Sequence, residues 1–412
     1  LTLLVALSVF TLGACGDESD RNSGSPDTED VHADTDVHTD APDDASSDDV
    51  FDVHERVTEA HEAFCGEHAE QVEARIDEVL VLLTLEEKAE LMHGAQILPL
   101  GGTWETPGNE PHGIRGFRMI DGPRGASFVA GEATAFPVAM ARGATWNPEL
   151  ERAVGEMIGA EARFLGADTL LAPTVNILRH PRWGRAQETY GEDPLHMGTM
   201  GAAFVQGVQE HVMAVVKHYA ANSIENTRLE VDVQLDEHTL REIYLPHFRR
   251  IVIDGNVAGV MTAYNRVNGD WASESRHLVR DILRGEWGFA GFTVSDFLWG
   301  THDTIPALEA GLDVEMPVSS IYGSPVVDAV ESGEVDVALV DDAIRRILRT
   351  QWCFGESLAE SEIISTESVE ALALAREAAV QGMVLLENRE GALPVACDDE
   401  ITVALVGSLV DV

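Results

Sequence analysis

The sequence predicts an α/β fold: a TIM-type (β/α) barrel followed by the start of an α/β sandwich domain. Two observations carry that prediction. Six short apolar runs each halt at a polar residue: Gly116 to Ile120 at Asp121, Thr169 to Val175 at Asn176, Ala214 to Val216 at Lys217 and His218, Val257 to Thr262 before Tyr264 and Asn265, Gly291 to Ser295 at Asp296, and Ala310 to Val314 at Glu315. Such runs read as buried parallel strands, and charged residues gathered at strand C-terminal ends mark the face on which a barrel carries its site. Helix-like segments separate the runs, as βα units require.

In chain order, Leu1 to Leu12 is a short apolar stretch leading to Gly13, Ala14 and Cys15, which resembles a bacterial lipobox. Residues 1–15 are therefore expected to be a lipoprotein signal peptide with Cys15 as the lipidated residue, placing the protein in the cell envelope of a bacterium, periplasmic or on the outer surface. The alternative is an ordinary secretory segment in which Cys15 is incidental. Residues 16–52 read as an acidic disordered linker: from Asp17 to Asp52 fourteen acidic residues stand against Arg21, and so few apolar groups cannot offset the entropy of folding. Asp34, Asp36 and Asp40 lack the turn glycine and closing glutamate of a calcium loop.

The barrel is assigned to residues 53–360. An amphipathic pattern through Ile76, Val79, Leu80 and Leu83 predicts a helix, and Thr84 caps the next one at Leu85, Glu86 and Glu87. Asn147 and Pro148 open a helix that stops near Gly166. Asp236 caps another through Leu240, Ile243 and Tyr244, which Pro246 is expected to end. Residues 361–412 are read as a linker helix from Val369 to Glu387 and a strand from Ile401 to Val406 that opens a second α/β unit. A lone strand cannot bury both faces, so the sequence reads as a fragment ending inside that unit; the alternative is a last strand that completes the first domain.

Composition excludes several classes. With 412 residues and a net charge of −45, the chain lacks the basic clusters that bind nucleic acid, and an acidic surface favours a neutral substrate. Cys15, Cys65, Cys353 and Cys397 form no CxxC pair, so no metal site is expected. After lipidation of Cys15 an odd number remains, leaving at least one unpaired within the chain. No later run approaches the ~20 apolar residues of a membrane span, so any membrane contact is expected through the lipid alone.

The ordered stretches LLTLEEKAELMHG, IRGFRMIDGPRGAS, ATAFPVAMARGATWNPEL, PRWGRAQETYGEDP, VKHYAANSIENTR, LREIYLPHF, VMTAYNRVNG, DILRGEWGFAGFTVSDF, AGLDVEMP and REAAVQGMVLLENREGALP resemble glycoside hydrolase family 3, the β-glucosidase family, from about Ile76 to Val406. The resemblance implies a cofactor-free retaining enzyme that removes terminal β-D-glucosyl residues from oligosaccharides or glucosides. Asp296 falls on the family's nucleophile. Asp121 falls on the acid that accepts hydrogen bonds from sugar hydroxyls, and Arg185, Lys217, His218, Arg228 and Tyr264 fall on positions lining the same sugar subsite. Phe297 stands where relatives usually carry a stacking Trp, Ser127 where an Arg is frequent, and Ala186 where many have Asn. The acid/base glutamate of β-glucosidase-type members is implied to lie in the second domain, beyond residue 412. Members acting on N-acetylglucosaminides use a histidine in a KHFPGHG-type motif; this chain reads KHYAAN, so His218 is not assigned that role. Kept alongside are a β-xylosidase or exo-β-glucanase of the same family, and a catalytically silent cell-surface carbohydrate-binding lipoprotein.

Overall fold

The computed structural model describes residues 64–99, 101–127, 131–359, 365–366, 368–391 and 393–394. Cys15, the acidic linker, residues 53–63, Cys397 and the expected strand from Ile401 lie outside them. In chain order the strands are β1 (Trp104–Glu105), β2 (Arg118–Asp121), β3 (Thr169–Leu171), β4 (Met213–Tyr219), β5 (Asp232–Val233), β6 (Gly259–Thr262), β7 (Arg266–Val267), β8 (Asp270–Trp271) and β9 (Phe292–Val294). Six form one sheet in the order β1-β2-β3-β4-β6-β9; β5, β7 and β8 form a second, small sheet.

From β2 to β9 every step of the main sheet is parallel, with Asp121 opposite Leu171, Tyr219 opposite Thr262, and Met261 opposite Val294. Residues of β3, β4, β6 and β9 are all buried, as expected of parallel strands covered on both faces. The sheet is a strongly curled half-barrel. Its open side is spanned by isolated bridges from Val294 to Val314 and from Glu315 to His93, and the Ala95 N–H donates to Glu105 O on β1 at 2.8 Å.

Two expectations need correction. The run from Ala310 to Val314 is not a strand: Ala310 ends the helix Thr304–Ala310, and Gly311 at φ 94° caps it, since glycine enters the left-handed region without a Cβ penalty. Only Val314 bridges to the sheet. The helix capped by Asp236 stops at Tyr244, just before Pro246, its last residues Leu240–Tyr244 forming a π turn; Pro246 in addition opens the helix Pro246–Ile253, because proline suits a first helical turn whose N–H would be unpaired anyway. The last helix runs Val369–Gln381, six residues short of Glu387. Gly382 caps it, where an added Cβ would lie 2.4 Å from Ala141 O.

Other elements agree with the sequence. Thr84 and Glu87 form a reciprocal capping box, and the Asn147 side chain accepts from Leu150 N at the start of Pro148–Phe164. That helix meets Pro194–Val208 through glycines: a Cβ on Gly155 would fall 2.4 Å from Phe204 O, and one on Gly207 would fall 2.0 Å from Arg152 O. Larger residues there would force the helices apart.

The start of the described chain is tied to residues almost three hundred positions later. Helix Val337–Ala359 packs against Ala69–Leu80, Cys65 and Cys353 form a disulfide across 288 residues, and Phe64 meets Phe354 edge-on at 5.3 Å. The disulfide settles which cysteines pair, a point left open by the sequence. Among the described residues no helix is long and apolar enough to cross a membrane.

Cross-linking so long a loop restricts the unfolded chain, so Cys353→Ser should lower the unfolding free energy by about 2–4 kcal/mol. Thermal melts of wild type with and without a phosphine reductant should show the same loss. An unchanged melting temperature after confirmed reduction would remove this staple from the account of stability.

Candidate active site

Parallel register brings the predicted residues to one edge of the sheet. Asp121 is the last residue of β2, Lys217 and His218 lie near the C-terminal end of β4, and Asp296 follows β9 by two residues. Lys217 Nζ donates to Asp121 Oδ1, which also accepts from Gly122 N at 3.0 Å. The ammonium is almost wholly buried while the carboxylate side chain is about one-third exposed, so the pair presents a carboxylate to the opening with its cation behind it.

Arg185 comes from the loop after β3. Its guanidinium forms a two-pronged pair with Glu188, Nε to Oε1 at 2.9 Å and NH2 to Oε2 at 2.7 Å, leaving NH1 to reach His218 Nε2 at 2.9 Å. Asn176 holds the other side of the imidazole: its Oδ1 accepts from the His218 N–H at 3.0 Å and lies 3.0 Å from Nδ1. Arg228 pairs with Glu225 at 2.9 Å and lies over the Tyr264 ring, 4.6 Å from its centroid. The Tyr264 hydroxyl donates to Phe297 O at 2.8 Å, so it braces the backbone beside Asp296. Phe297 is half-buried, edge-on to Trp104 at 5.1 Å.

Asp296 itself is buried. Oδ1 accepts from Phe297 N at 2.8 Å, whereas Oδ2 is buried with no hydrogen-bond partner and lies 3.6 Å from His218 Nε2. Burial raises its carboxyl above the usual carboxylate range, while Arg185 and the Phe297 N–H oppose that rise. His218 is pushed well below the ordinary imidazole range by burial and by the cations Arg185, Lys217 and Arg228. Tyr264 is raised by burial and by the Asp296 charge.

All six polar or aromatic neighbours singled out in the sequence thus lie in one hydrogen-bonded or packed constellation around Asp296 and Asp121. Glu315, which follows the run from Ala310 to Val314, does not join it: its carboxylate accepts from the backbone N–H groups of Ser320, Ile321 and Tyr322. Sequence reasoning missed Glu188, Glu225 and Trp104, and saw Asn176 only as a strand terminus. The i,i+3 spacing of Arg185 with Glu188, and of Glu225 with Arg228, was the available signal. Among the described residues no group of three or more His, Cys, Asp or Glu is placed to hold a metal ion.

This chain belongs to glycosyl hydrolase family 3: residues 106–350 match the family's N-terminal domain. It is 40% identical over 341 residues to a β-glucosidase from Rhizobium radiobacter, covering 81% of this chain and 41% of that protein. It is also 40% identical over 332 residues to β-glucosidase B from Emericella nidulans, covering 78% of this chain and 38% of that one. Among solved structures it superposes on β-glucosidase 3B from Thermotoga neapolitana in complex with α-D-glucose with a TM-score of 0.73 and 34% identity, over 78% of this chain and 48% of that one. A β-glucosidase from Streptomyces venezuelae in complex with D-glucose gives a TM-score of 0.74 at 34% identity, over 79% of this chain and 43% of that one. The chain spans about four tenths of the length of the curated relatives it matches.

Arg185 is the foremost group favouring the charged form of Asp296. Replacing it with Met should raise the Asp296 pKa further. Any reaction needing the carboxylate then requires a higher pH, so the acid limb of its rate profile moves upward. Following Asp296 modification against pH in both proteins tests this; coincident limbs would show that Arg185 does not set the charge.

Proposed function

We propose that this chain supplies the nucleophile and the glucose pocket of a retaining, exo-acting β-glucosidase built on a TIM-type barrel. The supporting observation is the free Oδ2 of Asp296, a buried carboxylate oxygen with no partner, beside Asp121, Glu188 and Glu225, each of which is tied to a cation. Buried polar atoms are nearly always paired, and an unpaired one at the end of a barrel strand is suited to attack. Relatives named β-glucosidases, two of them solved with glucose, support the choice of sugar.

In this reading Oδ2 attacks the anomeric carbon as the leaving oxygen is protonated, giving a glycosyl ester that water then cleaves with net retention. Asp121, backed by Lys217, accepts hydrogen bonds from sugar hydroxyls. Arg185, His218, Arg228 and Tyr264 line the same subsite, and Phe297 replaces a larger aromatic wall. Asp121, Glu188 and Glu225 are each paired with a base, which leaves none of them as the proton donor; that acid comes from outside the described residues. A disulfide between Cys65 and Cys353 accords with an oxidising compartment. We place the protein accordingly in the bacterial envelope, anchored through Cys15, or secreted.

Incubation with 2,4-dinitrophenyl 2-deoxy-2-fluoro-β-glucoside, whose leaving group needs little acid help, should add one sugar to the peptide containing Asp296. The Asp296→Ala variant should acquire none, and the matching xyloside should react more slowly. A folded chain that binds glucose yet never acquires the label would favour the silent carbohydrate-binding reading.

With glucosides of poor leaving groups, this chain should turn over roughly 10²–10⁴-fold more slowly than whole relatives, the usual contribution of a general acid. Parity in a steady-state assay would mean that the acid lies within residues 1–412.

A further inference from the structure

The Asn176 side chain offers two different groups to one residue. Its Nδ2 donates to the His218 carbonyl at 2.8 Å, and its Oδ1 accepts from the His218 backbone N–H at 3.0 Å. A carbonyl only accepts and an amide N–H only donates, so these two contacts determine which way the Asn176 amide points. With the orientation settled, Oδ1 also faces His218 Nδ1 at 3.0 Å, a contact that is favourable only if Nδ1 carries a proton. On the opposite side of the ring, Arg185 NH1 lies 2.9 Å from Nε2. A guanidinium only donates, so Nε2 must carry a lone pair. Both sides of the ring therefore require the same neutral form.

We propose that Asn176 is a positioning residue that locks His218 in its Nδ1–H tautomer, so that no proton sits between the imidazole and Asp296. Nε2 and the free Oδ2 of Asp296 are 3.6 Å apart. With lone pairs on both atoms they cannot bond, and Oδ2 keeps the electron pair that attack requires. A protonated His218 would instead present an Nε2–H to Oδ2, displace the Arg185 bond and occupy the nucleophile. The proposal rests on the glycosidase reading for its consequence but not for its geometry.

The groups facing His218 act in the same direction. Arg185 from the loop after β3, Lys217 beside it on β4 and Arg228 from the loop after β4 all oppose a positive imidazole. The acids nearby are Asp296 after β9, Asp121 on β2 held by Lys217, and Glu188 and Glu225 held by Arg185 and Arg228. Tyr264, after β6, is the remaining titratable neighbour and stays protonated.

Long-range nitrogen–proton NMR on protein labelled with ¹⁵N-histidine, with His218 assigned by its loss in His218→Gln, reads the tautomer directly. The expected spectrum has a pyrrole-like Nδ1 and a pyridine-like Nε2, persisting below pH ~6.5, the ordinary imidazole value. A proton on Nε2, or titration at the ordinary value, would overturn the proposal, and this holds whether or not any variant folds. In Asn176→Asp a carboxylate faces Nδ1 and favours the imidazolium. Labelling by the fluoroglucoside should then gain an acid limb that wild type lacks, falling about tenfold per pH unit below it. A labelling rate lowered equally at every pH, in a variant with an unchanged melting curve, would reduce Asn176 to a structural role. If wild type shows the expected tautomer but takes no label, the glycosidase reading fails while the tautomer assignment stands.

Discussion

A buried carboxylate with one free oxygen sets the demands on everything around it. Leaving the Oδ2 atom of Asp296 without a partner costs about 1–3 kcal/mol, and burial alone would favour the neutral acid. The structure answers with positive charge at a distance instead of with a direct bond. Arg185 and Lys217 supply the field, yet each is occupied by another acid, Glu188 and Asp121 respectively. Asp296 thus feels cations that do not cover its reactive atom.

That arrangement depends on the sheet. Four parallel steps from β2 to β9 bring chain segments far apart in sequence to one edge, and backbone bonds such as Val175 N to Lys217 O at 2.8 Å fix their relative height. Because β3 and β4 align there, Asn176 lies beside His218. Helices Pro148–Phe164 and Pro194–Val208 pack closely on each other through glycines, and the pairing of Cys65 with Cys353 joins the start of the described chain to helix Val337–Ala359. A shift of one residue in register would turn each of these side chains to the other face.

Charge is deployed sparingly inside an acidic chain. Lys88 and Lys217, its two lysines, are both buried, and Asp313 is held by Arg284 and Arg346 at 2.7 and 2.8 Å. Buried ions of this kind persist because each has an oriented partner. The outward face is left to acids and arginine, an excess whose self-repulsion salt screens.

The sequence by itself determined the βα character of the chain, the strand-end positions of Asp121, Lys217, His218 and Asp296, and the caps at Thr84, Asn147 and Asp236. These are local properties: apolar runs, capping chemistry and motif order are written in neighbouring residues. It overstated Ala310 to Val314 as a strand, because a short apolar run suits more than one setting, and packing chooses between them. Only the tertiary structure decided that Glu315 is consumed by backbone N–H groups, that Cys65 pairs with Cys353, and that Glu188 and Asn176 orient Arg185 and His218. Those outcomes depend on which groups meet across tens or hundreds of residues. No local pattern encodes a hydrogen-bond partner, and the same carboxylate is a cap, an ion pair or a free base according to what the fold places within reach of it.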